Sequence, residues 1–249
     1  DVKISSEETL DLANATVQST AGKVELDGLA GIVAKDATLL AAKEVTVEAN
    51  ENIEVSNSTV KAASLAITAA QNLTGTGLEG TITGAAELTA GENLVLDSAD
   101  LSGGTVSAVA AQGLSARGAA LNATKGTLTL KAEAADIDAS GATLTAKDEV
   151  KLTAKQSITA TEASVEADSL TMTAETGSVE ATGFTATVTG QASVVAGDSV
   201  MLDNAELTAG SLTATATTGV LSVKDAEITT KTGGVTLTAE AADIDASCV

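Results

Sequence analysis

The segment Val235-Thr236-Leu237-Thr238-Ala239 has relatives along the whole chain, and this repetition limits the fold more than any other feature. The relatives begin at Val2, Val24, Val45, Leu65, Ala86, Val106, Leu128, Val150, Leu170, Ala192, Leu212 and Val235, twelve starts separated by 20 to 23 residues. The longest literal copy, AEAADIDAS, runs from Ala132 to Ser140 and again from Ala239 to Ser247, 107 residues or five periods apart. Acidic residues are spread evenly, with 16 of the 34 before position 126 and 18 after it. Residues 1–249 therefore read as a single repetitive domain with no linker and no evident caps.

Within each unit the period is two. Leu128-Thr129-Leu130-Lys131-Ala132, Ala135-Asp136-Ile137-Asp138-Ala139 and Ala142-Thr143-Leu144-Thr145-Ala146 each put apolar residues in alternate places. Gly, Ser, Asn, Asp and Lys separate the stretches, which predicts three short strands per unit joined by tight turns. Three strands of about five residues cannot bury their inner faces alone. Coiling the chain so that each strand pairs with its equivalent one unit later solves this. The expected fold is an all-β, right-handed parallel β-solenoid of about twelve coils, on the order of 55 Å long at the usual strand spacing. Its handedness rests on the right-handed bias of parallel crossovers. An antiparallel sandwich is the weaker alternative, because it requires no fixed period.

Composition fits stacked columns. Hydrophobic residues are 44% of the chain, almost all Ala, Val, Leu and Ile, with one Phe and no Trp, Tyr or Pro. Proline would remove a ladder hydrogen bond, and a ring in every coil would overfill a narrow core. The absence of His removes imidazole acid–base chemistry, Ser-His nucleophiles and the usual zinc sites. A net charge of -21 without aromatic platforms argues against nucleic-acid binding. No apolar run approaches a membrane span, the start is not a signal peptide, and aromatic girdles for a membrane barrel cannot be built.

Two stretches carry a family likeness: QASVVAGDSVMLDNAELTAG from Gln191 to Gly210, and AELTAGENLVLDSADLSG from Ala86 to Gly103. They resemble the repeats of filamentous haemagglutinin and of the related two-partner-secreted bacterial exoproteins. The resemblance covers essentially the whole chain. It implies a right-handed β-helical shaft that holds functional modules away from the cell surface. The Asn-Pro motif of that family's secretion domain is missing from a chain with no proline, so the likeness is to shaft alone.

Candidate sites are few. Gly75-Thr-Gly77-Leu-Glu-Gly80 fits G-x-G-x-x-G with Asp97 and Asp100 some 20 residues on, but strand-like Thr81-Ile82-Thr83 follows where a nucleotide site needs a helix. These are read as turn glycines. Asp136/Asp138 and Asp243/Asp245 place paired carboxylates on one outward face. They are read as solvated surface, with weak cation or glycan binding as the functional alternative. Arg117 lies well away from both pairs in sequence. Thr171/Thr173, Thr213/Thr215 and Thr236/Thr238 recur at one strand position and suggest ice binding. Charges break the equivalent pair in six of the nine other coils, from Lys3/Ser5 and Glu25/Asp27 onward. Asn14, Asn57, Asn72 and Asn122 begin glycosylation sequons and receive little weight.

At the ends, Val249 is equivalent to Ala142 and Asp1 to Glu149. That spacing suggests a fragment of a longer shaft, or subunits stacking end to end across a six-residue gap. Cys248, in place of the turn residue Gly141, would then sit at the junction, either as a stray small residue or as half of an intersubunit disulfide.

The sequence thus predicts a structural, non-enzymatic, secreted or cell-surface bacterial rod, with no cofactor, metal, nucleic-acid or membrane-inserting role. Its partners would be its own ends or flanking repeats, and host surfaces reached through modules beyond this chain. A carbohydrate-binding or polysaccharide-degrading β-helix is the competing class.

Overall fold

The computed structural model describes residues 1–247. One coil serves for all: strands Glu149–Ala154, Ile158–Thr159 and Ser164–Ala167 follow one another around a narrow core. Each pairs in parallel with its equivalent in the coils before and after, giving sheets of 12, 12 and 11 strands among the described residues, with no helix. The protein is a parallel β-solenoid of about twelve coils.

Register follows the sequence repeat. Val2 pairs with Val24, Val24 with Val45, Val45 with Leu65, and the series continues without a slip through all twelve starts to Val235. Alternation explains the fidelity, since a one-residue slip would turn every buried side chain outward. In Glu149–Ala154 the residues Val150, Leu152 and Ala154 are fully buried while Lys151 is exposed. No proline interrupts the ladders.

A left-handed residue turns each coil into its third sheet. Asn14, Asp36, Asn57, Gly77, Ser98, Gly118, Gly141, Glu162, Gly183, Asn204 and Asp225 have φ between 52° and 65°. The next residue's N–H closes the turn onto the carbonyl three back, as in Ala163 to Ala160 at 3.2 Å. The left-handed residue's own N–H reaches the adjacent coil, as in Glu162 to the Thr182 carbonyl at 2.9 Å. Gly, Asn and Asp suit this backbone; Glu does not. Glu162→Gly is therefore expected to stabilise the protein by about 0.5–1 kcal/mol. Chemical denaturation checks it, and an unchanged or lowered midpoint contradicts it.

Core volume is balanced coil by coil. The residue after the left-handed position is mostly alanine, as at Ala142, Ala163 and Ala205, but it is Leu78 in one coil and Phe184 in another, both fully buried. Phe184 is followed by Ala186 in the third strand of its coil and by Ala192 in the next first-sheet strand, whose ladder neighbours are the larger Val165 and Leu207, and Leu170 and Leu212. Leu78 shares its coil with Gly75 and Gly80, and the space a Cβ would take at Gly80 is filled by Leu101. This accounts for the G-x-G-x-x-G spacing. Gly75 packs on Leu78 and Leu96, Gly77 is the left-handed turn residue, and Gly80 yields to Leu101.

Candidate functional site

The polar features lie on the outside of the coil, and the solenoid gathers residues that the sequence separates by about 21. One corner, just before the second sheet, carries the column Thr9, Gly31, Asn52, Asn72, Asn93, Gly113, Asp136, Ser157, Ser178 and Ser199. Asn72 Nδ2 donates to Asn52 Oδ1 at 3.0 Å and to Glu92 Oε2 at 3.0 Å, and Asn93 Nδ2 donates to Asn72 Oδ1 at 3.1 Å. The backbone N–H groups of Asn72, Asn93 and Gly113 each donate to the asparagine oxygen one coil earlier at 3.2 Å. Further on, Ser157 N–H donates to Asp136 Oδ1 at 2.7 Å, and Ser178, Ser199 and Val220 N–H donate to the serine hydroxyls below them. Side-chain oxygens thus satisfy corner N–H groups that fall outside the sheets.

The Asp136/Asp138 pair faces outward on either side of buried Ile137, as expected, yet its members have separate tasks. Asp136 belongs to the corner ladder. Asp138 Oδ1 accepts from Ser140 N–H at 3.1 Å and Oγ at 2.7 Å, and its Oδ2 lies 3.0 Å from Arg117 Nε. Arg117, remote in sequence, is brought alongside because Ser115 and Asp138 are ladder partners. Asp97 completes the group, accepting from Ser115 Oγ at 2.5 Å and Arg117 N–H at 3.0 Å. The arrangement recurs five coils on. Asp203 accepts from Ser222 Oγ at 2.6 Å and Lys224 N–H at 2.9 Å, and Lys224 Nζ lies 3.0 Å from Asp245. Asp243 stands exposed beside it. Two copies of one acid–hydroxyl–cation–acid string fit repeat structure better than a unique reaction centre.

Ion pairs mostly join successive coils, as in Lys3–Glu25, Lys23–Glu44, Lys35–Glu54 and Lys155–Glu175 at 2.7 to 2.9 Å. Hydrogen bonding to their lysines, followed by charge attraction, holds the Glu25 and Glu175 carboxyls below their ordinary value. The Asp245 carboxyl is held down first by its hydrogen bond to Lys224. Lys3, Lys23, Lys35 and Lys224 are raised by the same contacts. A lowered carboxyl supports the folded state above its unfolded pKa and loses that support as pH falls through the folded value. Lys155→Met is therefore expected to lower the thermal midpoint at neutral pH, with the difference vanishing once Glu175 is protonated. Melting curves across the acid range check this, and a pH-independent difference contradicts it.

The outward threonine rank occupies the columns expected for it: Thr171 pairs with Ser193, Ser193 with Thr213 and Thr213 with Thr236. These four successive coils are charge-free, as are the isolated pairs Ala66/Thr68 and Ser107/Val109, whereas Lys3, Glu25, Asp27, Glu48, Glu87, Lys131 and Lys151 interrupt the rest of the same face. Along the third sheet a shallow groove of about 460 Å³ has Ala123, Ala146 and Ala167 in its lining, with Thr145, Lys147, Glu166 and Asp168 beside them. No group of three or more potential metal ligands occurs among the described residues. The sequon residues Asn14 and Asn57 sit exposed at left-handed turns, Asn72 is held in the corner ladder, and Asn122 lies within a third-sheet strand. Cys248 lies outside the described residues.

The corner ladder and the Asp97–Ser115–Arg117–Asp138 string were not read from the sequence. Aligning the coils on Ile53, Leu73, Leu94, Leu114 and Ile137 brings out the small polar column that precedes them.

Fold, register and repeating surface define a repeat protein of the β-solenoid class. The family described as repeats of unknown function (DUF5649) matches residues 42–109 and 147–208, just over half of the chain, and the protein belongs to that family. No curated protein and no solved structure matches it.

Proposed function

We propose that this protein is a structural, non-enzymatic section of an extracellular rod. It is the shaft of a large bacterial adhesin-type exoprotein of the filamentous haemagglutinin kind, or a subunit that stacks end to end into a surface fibre. The observation that carries the reading is continuity: ladders of 12, 12 and 11 strands and one aliphatic core from Val17 to Ala226 run along the stack without a break. Such a rod resists bending because any bend must part ladder hydrogen bonds and stacked side chains together. The acidic surface keeps parallel rods from clumping.

Val235 and Ile244 are 44% and 45% exposed, and Val2 and Ile4 are only partly covered. A further coil of the same kind, from a longer chain or from a second copy, would cover such surfaces and pair the open strand edges.

Negative-stain electron microscopy of the purified chain tests the proposal. The expected result is a narrow rod of uniform width: isolated short rods for a section of shaft, or long threads, shortened to single rods by Val235→Lys with Ile244→Lys, for a stacking subunit. Compact particles, or side-by-side bundles without axial growth, would overturn it. An antibody against the rod should label intact source cells; labelling only after permeabilisation would contradict the surface location.

A further inference from the structure

The corner ladder has a gap. At Gly113 the column lacks a side chain, and a concavity of about 290 Å³ opens there, lined by Asn93, Leu94, Val95, Leu114, Ser115, Asp136 and Asp138 among others. The neighbours define what is missing. Asn52, Asn72 and Asn93 each accept the N–H of the next coil on their oxygen, and where an asparagine stands in the coil before, as for Asn72 and Asn93, the amide donates to its oxygen. At Gly113 that group is absent. The Asp136 N–H meets no side-chain acceptor among the described residues, and Asn93 Oδ1 receives the Gly113 N–H but no amide donor. The asparagine orientation is fixed by these backbone donors, which require oxygen on that side.

A carboxamide is therefore the complementary group. Its carbonyl accepts from Asp136 N–H and its N–H donates to Asn93 Oδ1. A carboxylate would leave Asn93 Oδ1 unpaired and stand against the Asp136 side chain, while an ammonium would leave the Asp136 N–H unpaired. We infer that the Gly113 notch binds the acetamido group of an N-acetylated amino sugar. The methyl lies against Val95, the outward-facing apolar side chain of the lining, and ring hydroxyls donate to the Asp136 carboxylate, whose Oδ2 meets no donor among the described residues. Asp138 is already paired with Arg117 and marks the rim.

The other glycine in the column behaves differently. Gly31 has Thr9 rather than an amide before it, and a Cβ there would meet the Asn52 carbonyl at 2.9 Å. At Gly113 a Cβ would meet Asn93 Oδ1 at 3.3 Å, the movable end of a side chain, and its backbone is not left-handed. Gly113→Asn is therefore expected to fold and to fill the slot from within.

The test is NMR titration of the intact 249-residue chain with N-acetylglucosamine, glucose and glucosamine. N-acetylglucosamine should shift the amides of Gly113, Leu114 and Asp136 saturably, and the other two sugars should not. Gly113→Asn should weaken binding about tenfold or more, the loss expected when hydrogen bonds in a formed slot are replaced, while its melting temperature is kept or raised. Equal response to glucose, unchanged binding by Gly113→Asn, or shifts scattered along the rod would overturn the assignment. Saturation by a glutamine-containing peptide but not by N-acetylglucosamine would overturn the sugar in favour of a protein partner.

Discussion

Phe184→Ala is expected to remove about 3–5 kcal/mol of stability. The ring is fully buried, and two of the inward residues that follow it along the chain, Ala186 and Ala192, are too small to close the void. Neighbouring coils cannot move in without breaking register, because every strand is pinned on both sides by its ladder. The balance of volumes makes a second, sharper expectation. Phe184→Ala combined with Ala186→Leu should recover part of the loss, since leucine is what the adjacent coil carries at Leu207. Urea denaturation of the single and double variants measures both effects. A loss below about 1 kcal/mol, or a double variant worse than the single, would contradict the packing described.

Leu130→Asp should be the more disruptive change. Leu130 is fully buried at mid-rod, with Ala108 and Leu152 as its ladder partners. A carboxylate placed there has no cation to meet, and an uncompensated buried charge costs about 3–5 kcal/mol. Its effect should also be visible in the shape of the transition. Each coil touches only its neighbours, so a weak coil at the centre separates two stacks that then melt independently. Two resolved or clearly broadened steps by circular dichroism are expected, against one for the unmodified chain. The same substitution at Leu237, half-buried in the last coil, should only fray the end. Equal damage from both sites would mean the rod behaves as one globular unit.

The register was legible before any coordinates because a repeat of about 21 residues and a side-chain period of two leave few consistent pairings. Val2, Val45, Leu128 and Val235 share one column for that reason. The core needed no further information than alternation and the shortage of rings. The surface was harder. Asn93, Asp136 and Ser157 share a corner and a hydrogen-bonding role but no residue type, so repetition of letters does not disclose them. Arg117 was read as remote from Asp138, whereas coiling by one period brings them to 3.0 Å. The left-handed column was concealed similarly, with Ser98 and Glu162 standing where Gly or Asn would have advertised the turn.

The proposed axial role and the sugar slot both presuppose a straight stack of coils, and distances along one outward column test that most directly. Thr46, Thr129 and Thr213 face outward in the first sheet, with four coil steps between each neighbouring pair. Spin labels at these positions, in pairs and in a Cys248→Ser background, can be measured by electron–electron dipolar spectroscopy. At the usual strand spacing, labels four coils apart should lie about 19 Å from each other and those eight coils apart about 38 Å, in a ratio near two. An outer distance well short of twice the inner ones, or two unequal inner distances, would contradict the solenoid.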